Sequence, residues 1–131
     1  MGMTTERLAG FGAAWRRKDL DLLMDFMTDD CVFVASVGAE PGTTFRGREE
    51  VRRGFALMLA YDEGYESRGG EAFVAGDRGA SKWSYTRTDE DGRVHEVHGC
   101  DLFEFDGDRI RVKDAYRRVR GDIGDAATGH S

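Results

Sequence analysis

The run HGCDLFEFDGDRIRVKDAYRR, His98 to Arg118, decides how this chain is read. It holds two stretches of strand-forming residues on either side of Asp106-Gly107-Asp108, a tripeptide suited to a tight turn. The spacing therefore predicts a hairpin, with strands near 93–106 and 109–118. Side chains alternate between the faces of a strand. One face of the first strand then carries His95, Val97, Gly99, Asp101, Phe103 and Phe105, and the other carries Val94, Glu96, His98, Cys100, Leu102 and Glu104. Asp101 thus shares a face with two phenylalanines, next to a glycine that leaves room for something to approach. A carboxylate in an apolar setting must be paired, hydrogen-bonded or protonated, because an isolated charge there is costly.

Working outward, the same strand chemistry extends upstream over 65–75 and 79–89, divided at Gly76-Asp77 and at Asp89 to Gly92, so four strands follow one another. Before them the period changes. Leu8, Phe11, Ala14 and Trp15 recur at spacings of three and four, with Thr4 or Thr5 as a cap. Asp19 can cap a second helix carrying Leu20, Leu23, Met24 and Met27, which Thr28-Asp29-Asp30 closes. CVFVAS, residues 31–36, reads as a strand, TTFR as a short extended piece, and 48–60 as a third helix. The order α-α-β-α followed by a β-meander predicts an α+β fold in which helices cover one face of a curved antiparallel sheet. Residues 1–120 form one domain on this reading, and 121–131 form a small, polar C-terminal tail.

Composition narrows the class. A chain of 131 residues suits a single domain. Its net charge of -6, with basic residues dispersed, argues against nucleic acid as a general partner. No stretch approaches the length of a membrane span, and the opening residues do not resemble a secretory signal, so a cytoplasmic protein is expected. Cys31 and Cys100 lack metal or redox spacing and read as small buried hydrophobes. His95, His98 and Cys100 do not converge on a strand, and the aspartates between 19 and 30 lack the spacing of a calcium loop, so no metal is expected. Gly79 and Lys82 fall in a strand signal with no helix behind them, so neither a phosphate loop nor a nucleotide cofactor is implied.

Three segments, AAWRRKDLDLLMDFMTDDCVF, FRGREEVRRGF and HGCDLFEFDGDRIRVKDAYRR, resemble the SnoaL-like polyketide cyclases and ketosteroid isomerases of the NTF2-like superfamily. The similarity runs from about Leu8 to Arg118. It implies a cone: a bent antiparallel sheet wrapped around a pocket, packed against three N-terminal helices, and commonly dimeric through the outer sheet face. Ketosteroid isomerases use a tyrosine on the first helix, an aspartate at the end of the first strand and an aspartic acid on a late strand. The comparison sets Phe11 and Ala35 at the first two positions and Asp101 at the third. Phenylalanine has no hydroxyl and alanine carries no proton, which argues against steroid isomerisation by that route.

The resemblance implies instead a cofactor-independent isomerisation, cyclisation or dehydration of an apolar or enolisable molecule, with Asp101 as the pocket acid. The alternatives are a non-catalytic binding protein for a small hydrophobic ligand and a dimeric structural or interaction module. His95 and Tyr85 are further catalytic candidates. His95 lies about 20 Å from Asp101 along an ideal strand, which suits the pocket mouth better than contact with the acid. Phe11, Trp15, Ala35, Phe55, Trp83, Phe103 and Tyr116 are expected to line a site for a small apolar or aromatic molecule. Plain sheet packing is the competing role for Trp83 and Tyr85. On the last strand, alternation groups Ile110, Val112, Asp114 and Tyr116, whereas the resemblance turns Lys113 and Ala115 inward. The two readings conflict. Glu40, in a glycine-rich loop, is a candidate for overhanging the mouth.

Overall fold

A computed structural model describes residues 2–39 and 42–118. Three helices and six strands follow the order α1 (Thr5–Arg16), α2 (Leu20–Asp25), β1 (Met27–Val34), β2 (Thr44–Arg46), α3 (Gly47–Tyr61), β3 (Glu66–Ala75), β4 (Arg78–Thr88), β5 (Val94–Asp106) and β6 (Arg109–Arg117). The strands form one sheet in the spatial order β2-β1-β6-β5-β4-β3. The α+β arrangement expected from the sequence is present. The sheet is mixed rather than wholly antiparallel, because β1 pairs with β6 in parallel. A strand from the helical half of the chain and the last strand of the meander cannot be joined by a hairpin, so nothing in the sequence forces their directions to oppose. Glu40 and the tail 121–131 lie outside the described residues.

Local chemistry accounts for the helical layer. The Thr4 hydroxyl accepts a hydrogen bond from the Arg7 amide at 3.1 Å, which occupies one of the unpaired donors at the start of α1. Leu8, Phe11 and Ala14 form its buried stripe. Lys18 takes a left-handed conformation, with φ 57°, and ends that run. Asp19 then caps α2 by accepting from the Leu22 amide at 3.2 Å. The expected turn at Thr28-Asp29-Asp30 is instead part of β1. Met27 is opposite Ile110 and Val32 is opposite Val112, so β1 carries extra residues between two paired positions. Asp29 and Asp30 face solvent there, and the Thr28 hydroxyl donates to Asp30 at 2.8 Å.

Between the layers, Phe11 meets Phe26, Phe55 and Phe103 at ring separations of 5.5, 6.1 and 6.2 Å, all edge-on. Phe33 packs edge-on to Phe55 at 4.9 Å. These edge-to-face arrangements suit the ring quadrupoles. The aromatic cluster fills the narrow end of the fold beneath α1 and α3. Toward β3 and β4 the layers diverge, leaving a cavity.

The conflict over β6 has a structural cause. Glu104 is opposite Val112 while Phe105 is opposite Ile110, so Arg111 is an extra residue and the alternation slips by one. Ile110 is buried before the slip, and Lys113 and Ala115 are buried after it. The inward face is therefore Lys113, Ala115 and Arg117, as the family resemblance implied and simple alternation did not.

Candidate functional site

A cavity of about 200 Å³ opens between α1, the C-terminal end of α3 and the inner faces of β3 to β6. Six aromatic side chains line it: Phe11 and Trp15 from α1, Phe33 from β1, Trp83 and Tyr85 from β4, and Phe103 from β5. Gly99 shows why the Trp83 indole can lie across the next strand. Trp83 and Gly99 are register partners, and a Cβ added at Gly99 would sit 2.3 Å from the indole Cη2. No side chain fits there. The space left by the glycine next to Asp101 is thus taken by the tryptophan that walls the cavity.

Asp101 faces this cavity, as its alternation predicts, and only 8% of its side chain is exposed. It is paired rather than alone. Lys113 Nζ donates to its Oδ1 at 3.2 Å, and the Ser81 hydroxyl donates to its Oδ2 at 3.3 Å. Register explains the convergence: Ser81 and Ala115 are the direct neighbours of Asp101, and Lys113 is opposite Phe103, one diagonal step away on the same face. A long side chain spans that diagonal. The Lys113 ammonium also lies 4.4 Å from the Trp15 ring centre and 4.9 Å from that of Phe33, a cation over two π faces.

Tyr85 lines the cavity above this pair. Burial, reinforced by the negative charges of Asp101 and Asp62, pushes its hydroxyl pKa up to about 12. Its hydroxyl therefore stays protonated across the physiological range and keeps a hydrogen to donate.

At the mouth, Arg117 binds Asp62 through two nitrogens at 3.1 and 2.8 Å, and a third contact at 3.2 Å goes to the Ser36 hydroxyl. Its guanidinium is 5.5 Å from the Tyr61 ring and 5.6 Å from Trp83. This clamp ties the last strand to the end of α3. Lys113, Ser81, Asp62 and Arg117 are among the polar lining residues that reading the sequence left out of the site. Lys113 did carry a signal, because the resemblance turned it inward. Arg117 carried none beyond belonging to an arginine pair.

The remaining candidates separate. Phe11, Trp15, Trp83 and Phe103 line the cavity. Ala35 and Phe55 are buried just behind that lining, Phe55 supporting Trp15 at a ring separation of 5.2 Å. Tyr116 points to the outer face of the sheet, half-exposed, and donates to Asp114 at 2.9 Å, because the bulge at Arg111 reverses its side. His95 does not meet Asp101. Its Nε2 is 2.8 Å from Asp89 Oδ2 at the β4–β5 turn, at the far end of β5. Among the described residues no cluster of histidine, cysteine and acidic side chains has the arrangement of a metal site. Among the described residues no helix is long and apolar enough to cross a membrane.

Fold and site together define a small α+β cone with an aromatic pocket and a buried acid at its base. The model of the SnoaL-like domain matches residues 8–113, so the chain belongs to the SnoaL-like family. Solved structures agree on the fold. An NTF2-like protein of unknown function from Cytophaga hutchinsonii superposes with a TM-score of 0.70 at 14% identity, covering 88% of this chain and 99% of that one. A second NTF2-like protein of unknown function, from Mesorhizobium loti, gives 0.70 at 26% identity, with 87% and 89% covered. A provisionally assigned polyketide cyclase from Pseudomonas putida gives 0.64 at 16% identity, with 91% and 93% covered. No curated protein matches the sequence.

Proposed function

We propose that this protein is a cofactor-independent enzyme that moves a proton on an apolar, enolisable substrate held in the aromatic cavity, the step shared by isomerisation, cyclisation and dehydration. The observation that carries the reading is the Asp101 carboxyl, buried at the base of that cavity with Lys113 at 3.2 Å. A second titratable group in contact with a buried carboxyl is what proton transfer needs and what simple sequestration of a ligand does not. Asp101 accepts a proton from the carbon next to a carbonyl. The C–H electron pair becomes the new C=C bond and the carbonyl π pair moves to oxygen. Tyr85, held protonated, donates to that oxygen. Ring closure, loss of water or return of the proton elsewhere would then complete the reaction.

Phe11 and Ala35 provide neither the hydroxyl nor the base of a ketosteroid isomerase, so the chemistry here runs through β4, β5 and β6 instead. His95, bound to Asp89, takes no part. Phe73, Leu102 and Tyr116, exposed on the outer sheet face, support a homodimer formed there. Two free thiols, Cys31 and Cys100, suit the reducing cytoplasm.

The test uses 2-tetralone, an aromatic-fused enolisable ketone, in deuterated buffer with α-proton exchange followed by NMR. Wild type is expected to accelerate exchange, and Asp101→Asn to lower that rate by about 100-fold or more, the usual contribution of a positioned acid or base. Saturable binding of 2-tetralone without faster exchange would replace catalysis with a non-catalytic binding function.

A further inference from the structure

Lys113 has three N–H donors and, among the described residues, one hydrogen-bond acceptor, Asp101 Oδ1 at 3.2 Å. Its other near neighbours are the faces of Trp15 and Phe33, which attract a cation but accept no conventional hydrogen bond. The side chain is only 6% exposed, yet it lines the cavity. Water outside the fold does not readily satisfy such a group. The mouth pair differs: Arg117 places three of its five donors, two on the oxygens of Asp62 and one on Ser36. Among the described residues Lys113 is therefore the one buried cation of the cavity, with two of its three donors unfilled, beside an anion whose second oxygen takes only a long contact from Ser81, at 3.3 Å.

From this geometry we infer that Lys113 is a second donor to the ligand oxygen, beside Tyr85, and that the ligand class is a planar aromatic or conjugated molecule bearing a phenol or enol hydroxyl. The ligand oxygen accepts from Lys113 Nζ while its hydroxyl hydrogen is donated to Asp101. A neutral hydroxyl matches the pair because it is donor and acceptor at one atom. An ether presents only an acceptor, and a ligand ionised in solution meets the charge of Asp101. When a ketone takes the same place, its carbonyl oxygen accepts from Lys113 Nζ, and the ammonium neutralises the negative charge that develops there as the α-proton passes to Asp101. The inference rests on the proposed use of the Asp101 cavity as the ligand site, and it sets a lysine on β6 beside Tyr85 in the donor role that Phe11, in place of the first-helix tyrosine, does not fill.

The test uses 2-naphthol, whose neutral and ionised forms have distinct absorbance and emission, with 2-methoxynaphthalene as its hydroxyl-blocked counterpart. Wild type is expected to bind 2-naphthol at least about tenfold more tightly than the ether, the value of one to two charge-assisted hydrogen bonds. In Asp101→Asn, Lys113 becomes an uncompensated cation, so bound 2-naphthol should ionise at least about one pH unit below its value in solution. The double variant D101N/K113M should lose both the preference for the hydroxyl and the shifted ionisation. Because it removes both charges together it leaves no bare buried ion, and its fold is checked by circular dichroism. If D101N does not fold, the naphthol-to-ether ratio in wild type and in the double variant decides alone. Equal ratios in those two proteins would overturn the role of Lys113 while leaving the cavity as a binding site. Failure of wild type to bind either compound would overturn the cavity reading and this inference with it.

Discussion

Two ion pairs face the same cavity, and they are built differently. At the mouth, Arg117 and Asp62 meet through two contacts, with Ser36 taking a third and aromatic rings on both sides of the guanidinium. At the base, Lys113 and Asp101 share a single contact in a drier place, their side chains 6% and 8% exposed against 13% and 17% at the mouth. The first is a bidentate clamp in which arginine's planar fork is matched to a carboxylate. The second is unsaturated, a point charge and a carboxylate each with capacity left over. A pair that only held the fold together would gain by being completed from within. The base pair has not been, and its free capacity opens onto the cavity.

Breaking the base pair from one side is expected to have the largest effect. Lys113→Met leaves Asp101 buried without its cation and should lower stability by about 3–5 kcal/mol, measured by urea unfolding, whereas D101N/K113M should recover most of that loss. A double variant as unstable as the single one would mean that the pair contributes through packing instead of charge.

The mouth pair should be less sensitive. Asp62→Asn keeps the shape and some hydrogen bonding to Arg117, so a loss of about 1–2 kcal/mol is expected. Its effect on 2-tetralone exchange should be far below that of Asp101→Asn. Equal losses of exchange would erase the distinction between clamp and chemistry.

Tyr85 tests the electrostatics between the two. Its pKa in the folded protein is raised from 10.0 to about 12, so the stability it contributes is intact below pH 10 and is lost as pH rises toward 12. The stability difference between wild type and Tyr85→Phe should therefore change across that window and stay flat below it, as followed by thermal melting. A flat difference throughout would place the hydroxyl in water.

The smallest effect belongs far from the cavity. Asp89 is held below its ordinary carboxylate value of 3.8, first by its hydrogen bond to His95 and then by the Arg93 amide. Its contribution is present above that ordinary value and lost as pH falls through the lower folded one. Asp89→Asn should differ from wild type slightly near neutrality and converge with it in acid. The same substitution should leave 2-tetralone exchange unchanged, separating His95 from the chemistry.

Much of this arrangement is legible along the chain. The periods of the first and third helices, the turn at Asp106-Gly107-Asp108 and the alternation through Asp101 all depend on neighbours a few residues apart, and each is found where local rules put it, whereas the second helix ends at Asp25 and Met27 opens β1. Two of the failures share a physical form. At Thr28-Asp29-Asp30 and at Arg111, extra residues shift the pairing and turn the following side chains over. The slip at Arg111 took Tyr116 out of the pocket and put Lys113 in. His95 was misjudged for a different reason: its partner, Asp89, is supplied by the bend of the chain and not by the strand on which it lies.

The sequence by itself determined the layer order, the inward aspartate and the aromatic character of the wall, because periodicity and residue chemistry are local properties. Only the tertiary structure decided which charges meet. Lys113 reaches Asp101 across a hairpin whose register depends on a single extra residue, and Arg117 reaches Asp62 across 55 positions of sequence. Such distances along the chain are closed by the packing of the sheet against the helices, and no local pattern encodes them.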